Sequence, residues 1–143
     1  MRIITHLIVL AIYGVLIAQA PTSAVQAPEP PAFCAPRGKA HMRTTLYFGL
    51  AYPAGTVTEA QWRAFLPNEV TPRFPHGLTV WEATGQWRRS DGKIERERAK
   101  VLLLVHPDAP GVRTALANLV ASYKRAFQQE SVLWESDPVC AAL

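Results

Sequence analysis

Only two cysteines and two methionines occur in the 143 residues, and the four histidines are scattered singly. Neither cysteine has a second Cys or His at ligand spacing, so no metal site can be read. Glycine is sparse, with eight residues, and nowhere forms a phosphate-cradling loop; no Ser-His-Asp order marks a hydrolase. Charged residues make up 18%, 15 basic against 11 acidic, for a formal net charge of +4. Clustered on one face, such an excess recruits anions. It is not the charge of a nucleic-acid-binding module. The length allows one domain and not two.

What is present begins with a single long apolar run at the N-terminus. Arg2 is followed by Ile3–Ala18, interrupted only by Thr5, His6 and Gly14, and then by small residues around Ala20 and Ala24. A basic start, a short apolar core and small residues form a secretory signal peptide, assigned to 1–24. The run is short for a membrane span, which needs about 20 apolar residues; the alternative is an uncleaved anchor. The "PAFC" before Cys34 lacks the small residue expected ahead of a lipidated cysteine. Pro-rich sequence follows and reads as an extended linker, 25–40. The folded domain is expected over 41–143. Export gives the cysteine count meaning, because an even number in an oxidising compartment argues for a bridge, here Cys34 to Cys140. The plain alternative is two unpaired thiols.

Periodicity supplies the elements. Thr44–Leu50 alternates as a strand, with Leu46, Phe48 and Leu50 on one side and Tyr47 on the other. Thr58-Glu59-Ala60-Gln61 is a capping box opening a helix through Trp62, Phe65, Leu66 and Val70, with Pro67 expected to kink or end it. Leu78–Arg88 and Ile94–Val105 are strand-like. Asp108 is a candidate N-cap for a second helix whose stripe is Val112, Leu116, Leu119, Val120, Tyr123 and Phe127. That stripe is core rather than a cofactor site. Ser131–Glu135 is a last short strand. The order is βαββαβ, a ferredoxin-like α+β fold: an antiparallel four-stranded sheet with two helices on one face. First and last strands are adjacent in that topology, which brings the two cysteines to the same sheet edge.

The densest stretch of functional groups is Gly85–Lys100, "GQWRRSDGKIERERAK". Asp91-Gly92 signals a two-residue type I′ hairpin turn, which would place Ser90 opposite Lys93. Counting outward puts Gln86 and Arg88 with Glu97 and Glu95 on the helix side, as a solvated pairing near the tip. The open side then holds Trp81, Trp87, Leu102 and Leu104 together with Arg96, Arg98 and Lys100, beside Tyr47. Tyr47, Trp81, Trp87, Arg98 and Lys100 are therefore the candidate ligand-binding residues, suited to a small anionic or aromatic ligand. The same face suits a homodimer, and the bland alternative is that a chain terminus covers it. A cation beside Tyr47 would favour its phenolate; a half-buried tyrosine beside solvated cations is the ordinary reading. His106 ends a strand and is more often a local hydrogen-bond partner than a general base. Arg73, between two prolines, either positions an anion or caps the preceding helix. The open face lacks the glycine-aromatic signature of RNA-recognition modules.

The segments "TTLYFGL", "TPRFPHGLTV", "GQWR", "RERAKVLLLVH" and "YKRAFQQESVLWESDPVC" resemble a bacterial family of small secreted proteins catalogued only as a domain of unknown function. The resemblance spans Cys34 to Cys140. It implies export and a compact α+β domain, and it implies no reaction. Pro67 departs from the smoother helix of that family. The expectation is an exported, disulfide-closed, non-catalytic ligand-binding or self-associating module, periplasmic or extracellular. It needs no cofactor, binds no nucleic acid, and touches a membrane only through its N-terminal segment. The alternative is an enzyme with its pocket on the same face, by analogy of fold to dimeric α/β-barrel monooxygenases or isomerases.

Overall fold

Alternation decides which side of the first strand, β1 (Lys39–Gly49), enters the core: Leu46 and Phe48 are fully buried there. The computed structural model describes Cys34 and residues 38–142. The signal peptide 1–24 lies outside the described residues, as does most of the linker 25–40, although Lys39 and Ala40 belong to β1. A small ladder of β2 (Ala51–Tyr52) and β3 (Gly55–Thr56) turns the chain toward the first helix.

Helix α1 (Glu59–Phe65) starts at the expected capping box. The Thr58 hydroxyl accepts from the Gln61 amide at 3.2 Å, and the Gln61 side chain accepts from the Thr58 amide at 2.8 Å. Pro67 does not stop the helix. It has no N–H for the α ladder, so the backbone widens into a π-helical turn over Leu66–Val70, closed by the Thr71 amide on the Leu66 carbonyl at 2.9 Å. Val70 thereby stays in the core. Helix α2 (Pro110–Phe127) is capped by Ala109, not Asp108; Pro110 supplies the pre-set first turn, and Asp108 instead pairs with Arg113 at 3.3 Å. Its stripe buries Leu116, Leu119, Tyr123 and Phe127. Tyr123 is central: its ring centroid lies 4.5 Å from Phe48, 5.2 Å from Phe65 and 4.8 Å from Phe127. Burying each such ring stabilises by roughly 1.5–3 kcal/mol.

Strands β4 (Thr79–Arg88), β5 (Ile94–His106) and β6 (Leu133–Ala141) complete a four-stranded antiparallel sheet in the order β4-β5-β1-β6. The last strand runs well past Glu135, so Cys140 comes to lie opposite Ala40 of β1. The expected bridge is present: Cys34 and Cys140 form a disulfide across a separation of 106 residues.

The hairpin register differs from expectation by one residue. Arg88 faces Ile94, and every pair follows: Glu82 with Lys100, Thr84 with Arg98, Gly85 with Glu97, Trp87 with Glu95. The loop has three residues, Ser90-Asp91-Gly92, with the Arg89 amide on the Lys93 carbonyl at 2.9 Å. A type I′ turn needs positive φ at two consecutive residues, but only Gly92 has it here, at 85°. This is the three-residue hairpin closed by a left-handed glycine. A slip of one residue exchanges the faces of a whole strand. Leu102, Leu104, Lys100 and Arg98 therefore point to the helix side, whereas Glu95 and Glu97 point to the open side, the reverse of the assignment by counting.

Candidate functional site

Across the open side, one row of paired residues runs Leu133, Tyr47, Val101, Trp81 through β6, β1, β5 and β4. The next row on that side is Gly49, Ala99, Ala83, all minimal side chains. Beyond it stand Gly85 with Glu97, and then Trp87 with Glu95. Small residues between two ridges leave a trough. It is a cleft of about 300 Å³, floored by Gly49, Ala83, Gly85 and Ala99 and walled by Tyr47, Trp87, Leu133 and Glu97.

Glu97 is the charged side chain of this cleft, and it is held in place. Its Oε1 accepts from the Trp87 indole N–H at 2.8 Å, and its Oε2 accepts from the Ala51 amide at 2.9 Å. Both donors are neutral, so they orient the carboxylate without cancelling its charge. The carboxylate lies over Gly49 and fills the space a side chain there would take, a Cβ falling 2.5 Å from Oε1. On the far side of the sheet the Tyr123 hydroxyl donates to the Gly49 carbonyl at 2.8 Å. Burial, and secondarily the Glu97 charge, push that phenol far above its ordinary pKa.

Tyr47 has an acidic rather than a basic neighbour. Its hydroxyl donates to Glu135 Oε1 at 2.8 Å, and this hydrogen bond raises the phenol's pKa by favouring the protonated form. The expected placement of Tyr47 beside Arg98 or Lys100, and with it the candidate phenolate, is thus corrected. Lys100, with a side chain only 6% exposed, bonds Glu59 Oε2 and Glu82 Oε1, both at 2.7 Å. Arg98 donates to the other Glu82 oxygen at 2.6 Å. These cations tie β5 to β4 and to α1, on the face opposite the cleft.

Of the five residues expected to bind ligand, Tyr47 and Trp87 meet in the cleft, and Trp81 shares their face beside it, 42% exposed. Arg98 and Lys100 do not join them. His106 is also remote, near the other end of β5: its Nδ1 donates to the Pro107 carbonyl at 2.9 Å, and its Nε2 is hydrogen-bonded to the Thr44 hydroxyl at 2.8 Å. Thr44 lies 2.6 Å from Ser136 Oγ, which completes a chain of structural hydrogen bonds. Arg73 donates to the Glu69 carbonyl and pairs with its carboxylate at 3.1 Å, capping the π turn. Glu97, Leu133 and the small residues of the floor were missed by counting along the sequence. Their signal was the alternation of Ala83 and Gly85 with larger residues, which marks a hollow rather than a ridge.

A model of the family described as "Protein of unknown function (DUF3574)" matches residues 43–143, most of the chain and nearly all of its described part. The chain belongs to this family. Among solved structures, it is similar to a phage SAM lyase in complex with S-methyl-5'-thioadenosine, with a TM-score of 0.55 at 15% identity, covering 72% of this chain and 90% of that one. The phage SAM lyase in its apo state is similar at a TM-score of 0.53 and 13% identity, over 73% and 90% of the two chains. At such identities the likeness is one of fold. No curated protein matches the chain. The functional reading of this chain therefore rests on the cleft.

Proposed function

We propose that this family member is an exported binding module of ferredoxin-like topology whose site is the cleft between Tyr47 and Trp87. The strand order β4-β5-β1-β6, with a helix in each crossover, supports the topology. The Cys34–Cys140 disulfide supports an oxidising destination. The cleft itself carries the functional reading: at about 300 Å³ it has the size of a small-molecule site, mostly apolar, with one fixed polar group. A thermal-shift screen of small molecules tests it, comparing wild type with Trp87→Leu and Arg98→Ala. Ligands that raise the melting temperature of wild type should do so equally for Arg98→Ala, whose changed side chain lies on the other face. They should fail with Trp87→Leu. If Arg98→Ala is the variant that loses the response, the site is elsewhere.

Two observations favour further readings of the same face. Trp81, Val105 and Leu133 are 42, 41 and 61% exposed on it, which supports self-association of two copies around the cleft. Sedimentation showing only monomer at high micromolar concentration ends that reading. The fold shared with the phage SAM lyase supports an enzyme, on the weaker ground of fold alone. Incubation with SAM, followed by chromatography for S-methyl-5'-thioadenosine, decides it.

A further inference from the structure

We infer that the cleft is selective for a small organic cation, an ammonium head on an apolar body, rather than for the anion suggested by the basic hairpin. The inference rests on the cleft being the binding site. Among the described residues, the only ionised side chain lining it is Glu97, and no lysine or arginine does. The Glu97 partners are the indole N–H of Trp87 and the amide of Ala51, so its negative charge is oriented and left uncompensated. Tyr47 carries a second carboxylate at the rim, Glu135, bonded to its hydroxyl at 2.8 Å.

Arg96 adjoins Glu97 in the shallow hollow beside the cleft, but its strand parity sends its side chain to the opposite face, and two other nearby cations are engaged. Arg98 is bonded to Glu82 at 2.6 Å on the opposite face, and Arg89, in the adjoining depression, is held by Glu95 at 3.3 Å. An anion entering the cleft would meet Glu97 with no cation among the described lining residues. A neutral ligand would gain only contact with the walls. An ammonium head gains both the Glu97 charge and the electron-rich faces of Trp87 and Tyr47, a combination suited to alkylated ammonium groups.

Three compounds of one shape separate these cases: choline, 3,3-dimethylbutan-1-ol and 3,3-dimethylbutanoate, carrying positive, zero and negative charge. Each is titrated into the disulfide-intact protein while the Trp87 indole N–H and the Ala51 amide are followed by nitrogen–proton NMR, with Trp87→Phe assigning the indole signal. Choline should move both resonances and bind about tenfold more tightly than the alcohol, the scale of a desolvated cation–aromatic contact. The butanoate should move neither. Glu97→Gln, which keeps a carbonyl acceptor for one of the two donors, should reduce the choline preference to near parity. If the alcohol binds as well as choline at these resonances, the cleft stands and the cation selectivity falls. If the butanoate binds best, the selectivity is of the opposite sign and the inference is overturned. If none of the three moves either resonance, both the inference and the cleft reading fail.

Discussion

Glu97 and Gly49 show how one position can depend on the absence of a side chain at another. The carboxylate sits where a Cβ on Gly49 would lie, 2.5 Å from Oε1, so Gly49→Ala must push Glu97 off the Trp87 and Ala51 donors. The carboxylate is the far end of a flexible side chain and can swing aside, so the cost is that of the two lost hydrogen bonds, about 0.5–1.5 kcal/mol each. Urea unfolding should register that loss, and the Trp87 indole N–H resonance should shift as its acceptor leaves. An alanine variant with unchanged stability and an unmoved indole signal would mean that Glu97 is not packed over Gly49. The residue scale also explains why Tyr47 is a poor proton donor to a reaction: its bond to Glu135 raises its pKa, so it remains a neutral phenol at the cleft wall.

At the scale of elements, the hairpin is fastened to α1 by Lys100, Glu59, Glu82 and Arg98. Hydrogen bonds from Lys100, helped by Arg63 at Glu59 and by Arg98 at Glu82, hold both carboxyls below the ordinary glutamate range. For Lys100, burial alone would lower the pKa, but the bonds it donates to Glu59 and Glu82 outweigh it and raise it. The signs follow from linkage. The depressed glutamates contribute stability that is complete above their unfolded pKa and lost as pH falls through their folded values. The raised lysine contributes below its unfolded pKa and loses that contribution only in strong alkali. Melting temperatures between pH 7 and pH 3 should therefore fall more steeply for wild type than for Lys100→Met. Parallel slopes would show that the network contributes nothing in that range. The cations that make Gly85–Lys100 look like a binding surface are thus largely a fastening between elements.

Across the whole molecule, the Cys34–Cys140 bridge closes nearly the entire described domain into one loop, its ends 106 positions apart in sequence. In the chain-entropy model a loop of about 100 residues gains up to ~4.7 kcal/mol. Reduction, or Cys34→Ser with Cys140→Ser, should lower the urea midpoint, with a loss of unfolding free energy approaching that figure, while leaving the far-ultraviolet spectrum near native. An unchanged midpoint would show that the bridge is dispensable. The strands of the antiparallel sheet, the two helices with their Trp62–Phe65 and Leu116–Phe127 core faces, and the cysteine pair were legible from the sequence, because each rests on local periodicity or on an even cysteine count; the β2–β3 ladder and the π turn were not. Which face of β5 enters the core was not. "KVLLLV" at Lys100–Val105 is apolar on both parities, as befits a strand flanked on both sides, so period two carries no sign there. The choice fell to the loop, where Asp91-Gly92 serves a two-residue or a three-residue turn equally well as a sequence, and only the three-residue form gives Lys100 two carboxylate partners against α1. By itself, the sequence determined what the elements are and that an aromatic face remains open. Tertiary packing decided the parity of β5, because a buried lysine must be paired, and with it decided that the charge in the cleft is negative.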